Sequence, residues 1–255
     1  MAVRANVRRM SESHIIVIVL TFLLAGLVKG VIGLGLPTVA IGLLGLVMAP
    51  AQAAALLVVP SLVTNVWQFA AGRWHGALMR RLWPMLATIC VGTWAGAGLI
   101  AGGTSGEATI ALGAALMLYA ASGLASVRFA VPPRRERWLA PTVGAATGLV
   151  TAATGVFVIP AVPYLQALSL NKDELVQALG LSFTVSTIAL AAGLADHGAL
   201  RLSDVGTSLF ALAPALAGMA LGQWVRTRVR PETFRFCFFL GLLLLGGHLA
   251  LRGVL

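Results

Sequence analysis

The sequence predicts an all-α integral membrane protein built from two tandem parallel repeats, with about eight transmembrane helices and two short re-entrant or broken segments. Three observations carry that expectation. The 255 residues are 59% hydrophobic and 10% charged, where soluble domains carry roughly 25% charged residues, and the mean hydropathy is +0.94. The apolar runs are long and unbroken, whereas barrel strands alternate apolar and polar residues, so a backbone in hydrocarbon must here be helical. The chain also repeats itself at one offset. His75-Gly76-Ala77-Leu78 returns as His197-Gly198-Ala199-Leu200, Gly26-Leu27-Val28 as Gly148-Leu149-Val150, Gly33 as Gly155 and Gly96 as Gly218. Duplicated apolar units in membranes commonly form a site where the two copies meet.

A spanning helix needs about 20 apolar residues. Apolar segments lie at 15–35, 37–48, 52–71, 82–102 and 107–126, and then at 138–155, 157–168, 174–194, 204–224 and 232–251. The second and seventh are too short to span and read as re-entrant. The expected division is a cytoplasmic tail at 1–14, a first repeat at 15–126, a basic cytoplasmic linker at 127–137 and a second repeat at 138–251. Pro60 should kink the third segment. Gly102-Gly103-Thr104-Ser105-Gly106 reads as a turn. Gly92/Gly96 and Gly218/Gly222 are small-residue stripes that let helix backbones approach closely in lipid. Pro231 and Glu232 suit the first turn of the last helix.

The net charge is +10, carried largely by arginines in short loops between apolar runs. Such residues set orientation and meet anionic headgroups. No basic face or reading motif accompanies them, so nucleic acid is not an expected partner. With a cytoplasmic N-terminus, eight crossings leave twelve cations inside and five outside, Lys29 excluded. The cluster Arg226, Arg228 and Arg230 is the exception. Both termini are then cytoplasmic. Arg4, Arg8 and Arg9 before Ile15 resemble a signal peptide, but the apolar run continues without a cleavage site, so a retained helix is expected. Cys90 and Cys237 make no CxxC and no metal spacing. GxSxG, HExxH and Walker motifs are absent from the sequence, so neither an enzyme, a metal nor a cofactor is expected. A homo-oligomer remains open.

The first candidate site is the stretch Gly26 to Pro37, where Gly26, Gly30, Gly33 and Gly35 precede a proline. That composition opposes a continuous helix. A break within a membrane is tolerated against protein or a water-filled cavity, and the N–H groups it frees attract anions. Glycine packing between helices is the plainer alternative. Lys29 lies within this stretch. A lysine at the centre of a spanning helix costs roughly 2.5–3.5 kcal/mol on insertion scales and reads as functional unless it snorkels to the headgroups. The second copy keeps Gly155, Pro160 and Pro163, with Thr151 in place of Lys29 and Thr154 before the glycine. Those hydroxyls either bind a ligand or bond back to their own turn. Ser61, Thr64, Asn65 and Gln68 can share a helix face, matched by Ser182, Thr184, Ser186 and Thr187. Asn65 and Gln68 must face another helix or a cavity. A substrate shell of Lys29, Gly30, Gly33, Gly35, Asn65, Gln68, Thr151, Thr154, Gly155, Ser182 and Ser186 follows. His75 and His197 sit at the repeated turn, both expected at the cytoplasmic rim. With Asp196 beside the second, they are candidates for proton coupling or solvated turn residues.

The glycine-rich first helix followed by Pro37, the stretch Ala53-Ala54-Ala55-Leu56-Leu57-Val58-Val59-Pro60-Ser61 and the Gly92/Gly96 helix resemble the sulfite exporter TauE/SafE family. Gly26, Gly30, Gly33 and Gly35 stand at the leading positions of the family's glycine motif, while Leu36 and Pro37 replace its last two glycines. In the second copy Val156 and Phe157 stand where glycines would be. The resemblance covers about 15–251. It implies a bacterial inner-membrane secondary transporter for sulfite, organosulfonates or related anions, with export favoured, a small anionic substrate and the lipid bilayer as its partners.

Overall fold

The computed structural model describes residues 2–99, 105–125, 130–200 and 202–254, with side chains from His14 onward except at 105, 202–204, 231 and 254. Residues 102–104 of the expected glycine turn, most of the first half of the linker, Arg201 and the side chain of Asp204 lie outside what is described, while 105 and 106 already belong to a helix. Ten α-helices and no strands make up the regular structure of the described residues: α1 (Ala2–Ile32), α2 (Leu36–Leu44), α3 (Pro50–Ala70), α4 (His75–Ala95), α5 (Ser105–Ala125), α6 (Pro133–Thr154), α7 (Ala161–Gln166), α8 (Lys172–Asp196), α9 (Leu202–Arg226) and α10 (Pro231–Val254). Each follows one apolar segment of the sequence.

Among the described residues, six helices have stretches long and apolar enough to cross a membrane: His14–Ile32, Pro50–Ala70, Gly106–Ala125, Lys172–Asp196, Val205–Arg226 and Glu232–Gly253. Helices α4 and α6 match them in length, at 21 and 22 residues, but carry Arg80 and Arg81, or Arg134, Arg135, Glu136 and Arg137, in their early turns. Helices α2 and α7 have 9 and 6 residues.

Local chemistry explains the boundaries. Gly33 and Gly35 have φ of 79° and 104°, a left-handed conformation that L side chains disfavour. The chain turns there from α1 into α2, whose second residue is Pro37. Gly155 ends α6 with φ of 71°. Asn171 and Glu174 form a reciprocal capping box at the start of α8. Pro60 lies inside α3 and has no N–H for Leu56 O. Ser208 of α9 replaces it: its hydroxyl donates to Leu56 O at 2.7 Å and accepts from Val59 N at 3.0 Å.

Glycines join the helices in pairs. A Cβ on Gly30 of α1 would come within 2.8 Å of the Gly222 Cα of α9, and one on Gly218 would come within 2.9 Å of Leu27 N. Likewise, a Cβ on Gly148 of α6 would lie 2.6 Å from Thr93 N of α4. Partner numbers rise together in both pairs, so α1 runs parallel to α9 and α4 parallel to α6.

The other two seams run the opposite way. Along α3 and α8, Ser61 meets Thr187, Gln68 meets Val176 and Phe69 meets Gln177. Along α5 and α10, Gly106 meets Gly253, Gly113 meets Gly246 and Gly123 meets Phe239. The expectation of two parallel repeats is therefore corrected. Helices α3 and α8, which occupy matching places in the two halves, are antiparallel, as are α5 and α10. The identical His-Gly-Ala-Leu tetrads also differ in structure. His75 opens α4, whereas His197 caps the end of α8 and Gly198 turns with φ of 66°.

These contacts sort the chain into two ends. At one end, Arg81 of α4 pairs with Glu136 of α6 and donates to Leu168 O after α7, while Gln68 at the close of α3 reaches the start of α8. Gly30, near the close of α1, lies against Gly222 and Gln223, one turn before Arg226. Arg73, Arg80, Arg81, Arg134, Arg135, Arg137, Lys172, Arg226, Arg228 and Arg230 collect at this end. At the other end, Arg252 donates to Leu46 O, and His197 lies over Gly98.

Candidate functional site

The polar centre is built where α1 meets α3 and α3 crosses α8. Lys29 is 4% exposed and Asn65 is fully buried. The Lys29 ammonium donates to Asn65 Oδ1 and, at 3.0 Å, to Thr64 Oγ1. Thr64 Oγ1 gives its own hydrogen to Pro60 O at 2.7 Å, so its lone pairs are free to accept from the lysine. Asn65 Nδ2 donates to Ser61 Oγ at 3.0 Å. Thr187 Oγ1 spends its hydrogen on Phe183 O at 2.7 Å, so the 3.1 Å contact between Ser61 and Thr187 has Ser61 as donor. One directional chain of hydrogen bonds thus runs from Lys29 through Asn65 and Ser61 to Thr187 on α8.

An ammonium has three hydrogens, and two are used here. Among the described residues, no Asp or Glu pairs with Lys29. Snorkelling does not describe this side chain, because it points inward to α3. A buried cation without a counter-ion is costly, and an anion offsets that cost. The helix break adds donors beside it. The Gly33 N–H is held by Lys29 O at 2.8 Å, but the amides of Leu34, Gly35, Leu36 and Thr38 have no backbone acceptor at the start of α2. Gly30 departs from its expected role. Its N–H belongs to the ladder of α1 and its open face lies against α9, so Gly30, like Gly26, is a packing residue.

A family comparison fits this arrangement. The family model described as sulfite exporter TauE/SafE matches residues 18–249. The chain belongs to that family. TauE/SafE proteins are membrane transporters of sulfur anions and not enzymes. No curated protein and no solved structure matches the chain.

In this TauE/SafE protein the remaining candidates fall into three places. Ser182 and Ser186, one turn apart on α8, are wholly buried with unpartnered hydroxyls, as is Thr93 of α4 at 1% exposure. Thr151 and Thr154 of α6 bond back to Thr147 O and Val150 O, each at 2.7 Å. Thr154 Oγ1 also accepts from Val156 N at 3.1 Å, which steadies the chain past Gly155. Gln68 joins helices rather than the centre, donating to Val176 O at 2.8 Å.

The histidines lie away from the centre. The His75 ring packs edge-on against Phe69 at 5.1 Å. His197 Nδ1 lies 3.0 Å from Gly193 O and 3.9 Å from Asp196. Because α3 and α8 are antiparallel, the two histidines mark opposite ends, which corrects their expected placement at one rim. Among the described residues, no group of three or more His, Cys, Asp or Glu side chains could hold a metal.

Thr64, Thr38 and Gln177 lie outside the expected shell: Thr64 holds Lys29, and the hydroxyl of Thr38 at the start of α2 is buried without a partner. Gln177 takes Trp74 N at 2.9 Å and donates to Phe69 O at 3.0 Å, closing the α3–α4 corner. Thr64 was legible on the polar face of α3, but its contact with Lys29 appears only in the fold.

Proposed function

We propose that this protein is a secondary transporter that moves a small anion of the sulfite or organosulfonate class by alternating access, in the direction of export. The anion sits on the free N–H of Lys29, with Thr64 and Asn65 holding the ammonium in place and the amides around Gly35 completing the donor set. The observation that carries this reading is a buried lysine with no acidic partner, beside a broken helix of a family that handles sulfur anions.

The same reading assigns the membrane orientation. Placing the arginine-rich end in the cytoplasm obeys the positive-inside tendency and brings Arg226, Arg228 and Arg230 inside. The beginning of α1 and the end of α10 then face outward, in place of the cytoplasmic termini expected from the sequence. All ten helices alternate in direction, with α2 and α7 crossing part of the bilayer. The antiparallel α3–α8 and α5–α10 seams support reading the two halves as inverted copies, a common transporter plan with a site near the midplane.

The test is sulfite flux into proteoliposomes by the parent and by Lys29→Met. Loss of saturable flux in a variant that still inserts and runs as the parent does in size-exclusion chromatography is the expected result. Equal flux removes Lys29 from the site.

A further inference from the structure

Two helices stop inside this protein at a left-handed glycine: α1 at Gly33 and α6 at Gly155. A helix ends in unpaired carbonyls and partial negative charge, which favours a cation. At α1 that cation is built in, because Lys29 lies in the last turn. The last turn of α6 contains no basic residue. We propose that the end of α6 and the hydroxyls of α8 beside it form a monovalent cation site that takes sodium.

The donors are oxygen atoms with lone pairs to give. Gly155 N donates to Thr151 O at 2.7 Å, and Val156 N donates to Thr154 Oγ1. No backbone amide beyond the helix is bonded to the carbonyls of Ala152, Ala153 or Thr154. Thr151 spends its hydrogen on its own helix, so its oxygen is left as an acceptor.

The aromatic contact of Phe157 with Phe183, at 5.3 Å between ring centres, brings the segment after Gly155 onto α8. Ser186 lies one turn beyond Phe183 on that face, and Ser182 lies one turn before Ser186. Several buried helical hydroxyls bond back to their own turn, as at Thr64, Thr147, Thr151 and Thr187, and Ser61 and Ser208 bond to a neighbouring helix. Ser182 and Ser186 do neither, and both are buried without a partner. Unsatisfied buried hydroxyls on one face call for a polar occupant.

The sign of the helix end selects a cation over an anion. The ligand type selects which cation. Calcium and magnesium sites draw on carboxylates, and here the oxygens are hydroxyl and carbonyl. Ends of broken helices and unwound carbonyls coordinate sodium in other transporters. These oxygens come from the second half of the chain and the groups around Lys29 from the first, so anion and cation would be held by different halves.

The experiment measures thermal stability of the purified full-length protein in sodium, potassium and choline chloride at equal ionic strength. A ligand that binds the folded state raises the melting temperature. The expected result is a saturable rise of at least about 2 °C in sodium alone, lost in the Ser182→Ala/Ser186→Ala variant and in Thr151→Val, and kept in Lys29→Met. Sodium NMR line broadening by the parent gives a second readout that needs no variant. No sodium-specific rise and no broadening, or a rise that survives all the α6 and α8 substitutions, overturns the proposal. A sulfite-induced rise that vanishes in the serine variant without any sodium effect also overturns it, by giving the hydroxyls to the anion. Chloride is the counter-ion throughout, so a Lys29→Met protein that loses its sulfite response and keeps its sodium response separates the two sites.

Discussion

Lys29 and Asn65 meet side chain to side chain across two helices, 36 positions apart in sequence and buried from solvent. Asn65 is neutral, so it orients the ammonium without cancelling its charge. Replacing it by aspartate would supply the missing counter-ion from within. In Asn65→Asp, sulfite flux should fall at least about tenfold, the factor that corresponds to about 1.4 kcal/mol, while the melting temperature stays level or rises. Flux and thermal stability measured on one preparation check both halves. Unchanged flux would mean that the lysine charge is not what holds the substrate.

The glycine seam of α1 and α9 leaves no room for a side chain. Gly26→Leu or Gly222→Leu would press carbons into the facing backbone. Overpacking of this kind costs about 1–3 kcal/mol and occasionally more, and here the new carbons meet main chain, so both variants should express poorly and aggregate. Gly76→Ala meets open space, with no atom within 4 Å of the new carbon, and should behave as the parent does. Size-exclusion profiles after mild solubilisation distinguish the three.

Ser208 substitutes for the N–H that Pro60 lacks. Ser208→Ala removes two hydrogen bonds from the backbone of α3 and should cost about 1–3 kcal/mol, since a buried carbonyl is then left unmet. In a Pro60→Ala background the helix can satisfy Leu56 O itself, and the serine should matter less. A double-mutant cycle on unfolding stability reads the coupling directly.

Orientation is open to direct labelling. In a background without Cys90 and Cys237, a cysteine at Gly198 should react with an impermeant maleimide in intact cells, and one at Thr227 only after permeabilisation. The reverse pattern would turn the protein over in the membrane. Labelling of both from one side would contradict the alternating arrangement of its helices.

Much of this architecture is written in local sequence. Ten apolar runs give ten helices, and the glycine cluster before Pro37 marks a true break because Gly33 and Gly35 adopt conformations other residues resist. The polar face of α3 was legible because Asn65 cannot be left alone in hydrocarbon. The relative direction of the halves was not legible. Charge counting favoured parallel copies on the assumption that the N-terminus is inside, and it takes the pairing of Ser61 with Thr187, Gln68 with Val176 and Phe69 with Gln177 to show α3 and α8 passing in opposite senses. Gly26 and Gly30 show a related limit. A glycine that admits a neighbouring helix and a glycine that breaks its own helix look alike until the neighbour is seen.

The interlocked glycine backbones make α1 with α9, and α4 with α6, two stiff planks. Sliding within either would drive main chain into main chain, so each must travel whole. Between them run α3 and α8, joined by the hydroxyl contact of Ser61 with Thr187 and, nearer the arginine-rich end, by Gln68 with Val176 and Gln177 with Phe69. Any alternating access of the kind proposed would therefore have to be taken up along this seam, by two planks that each move as one.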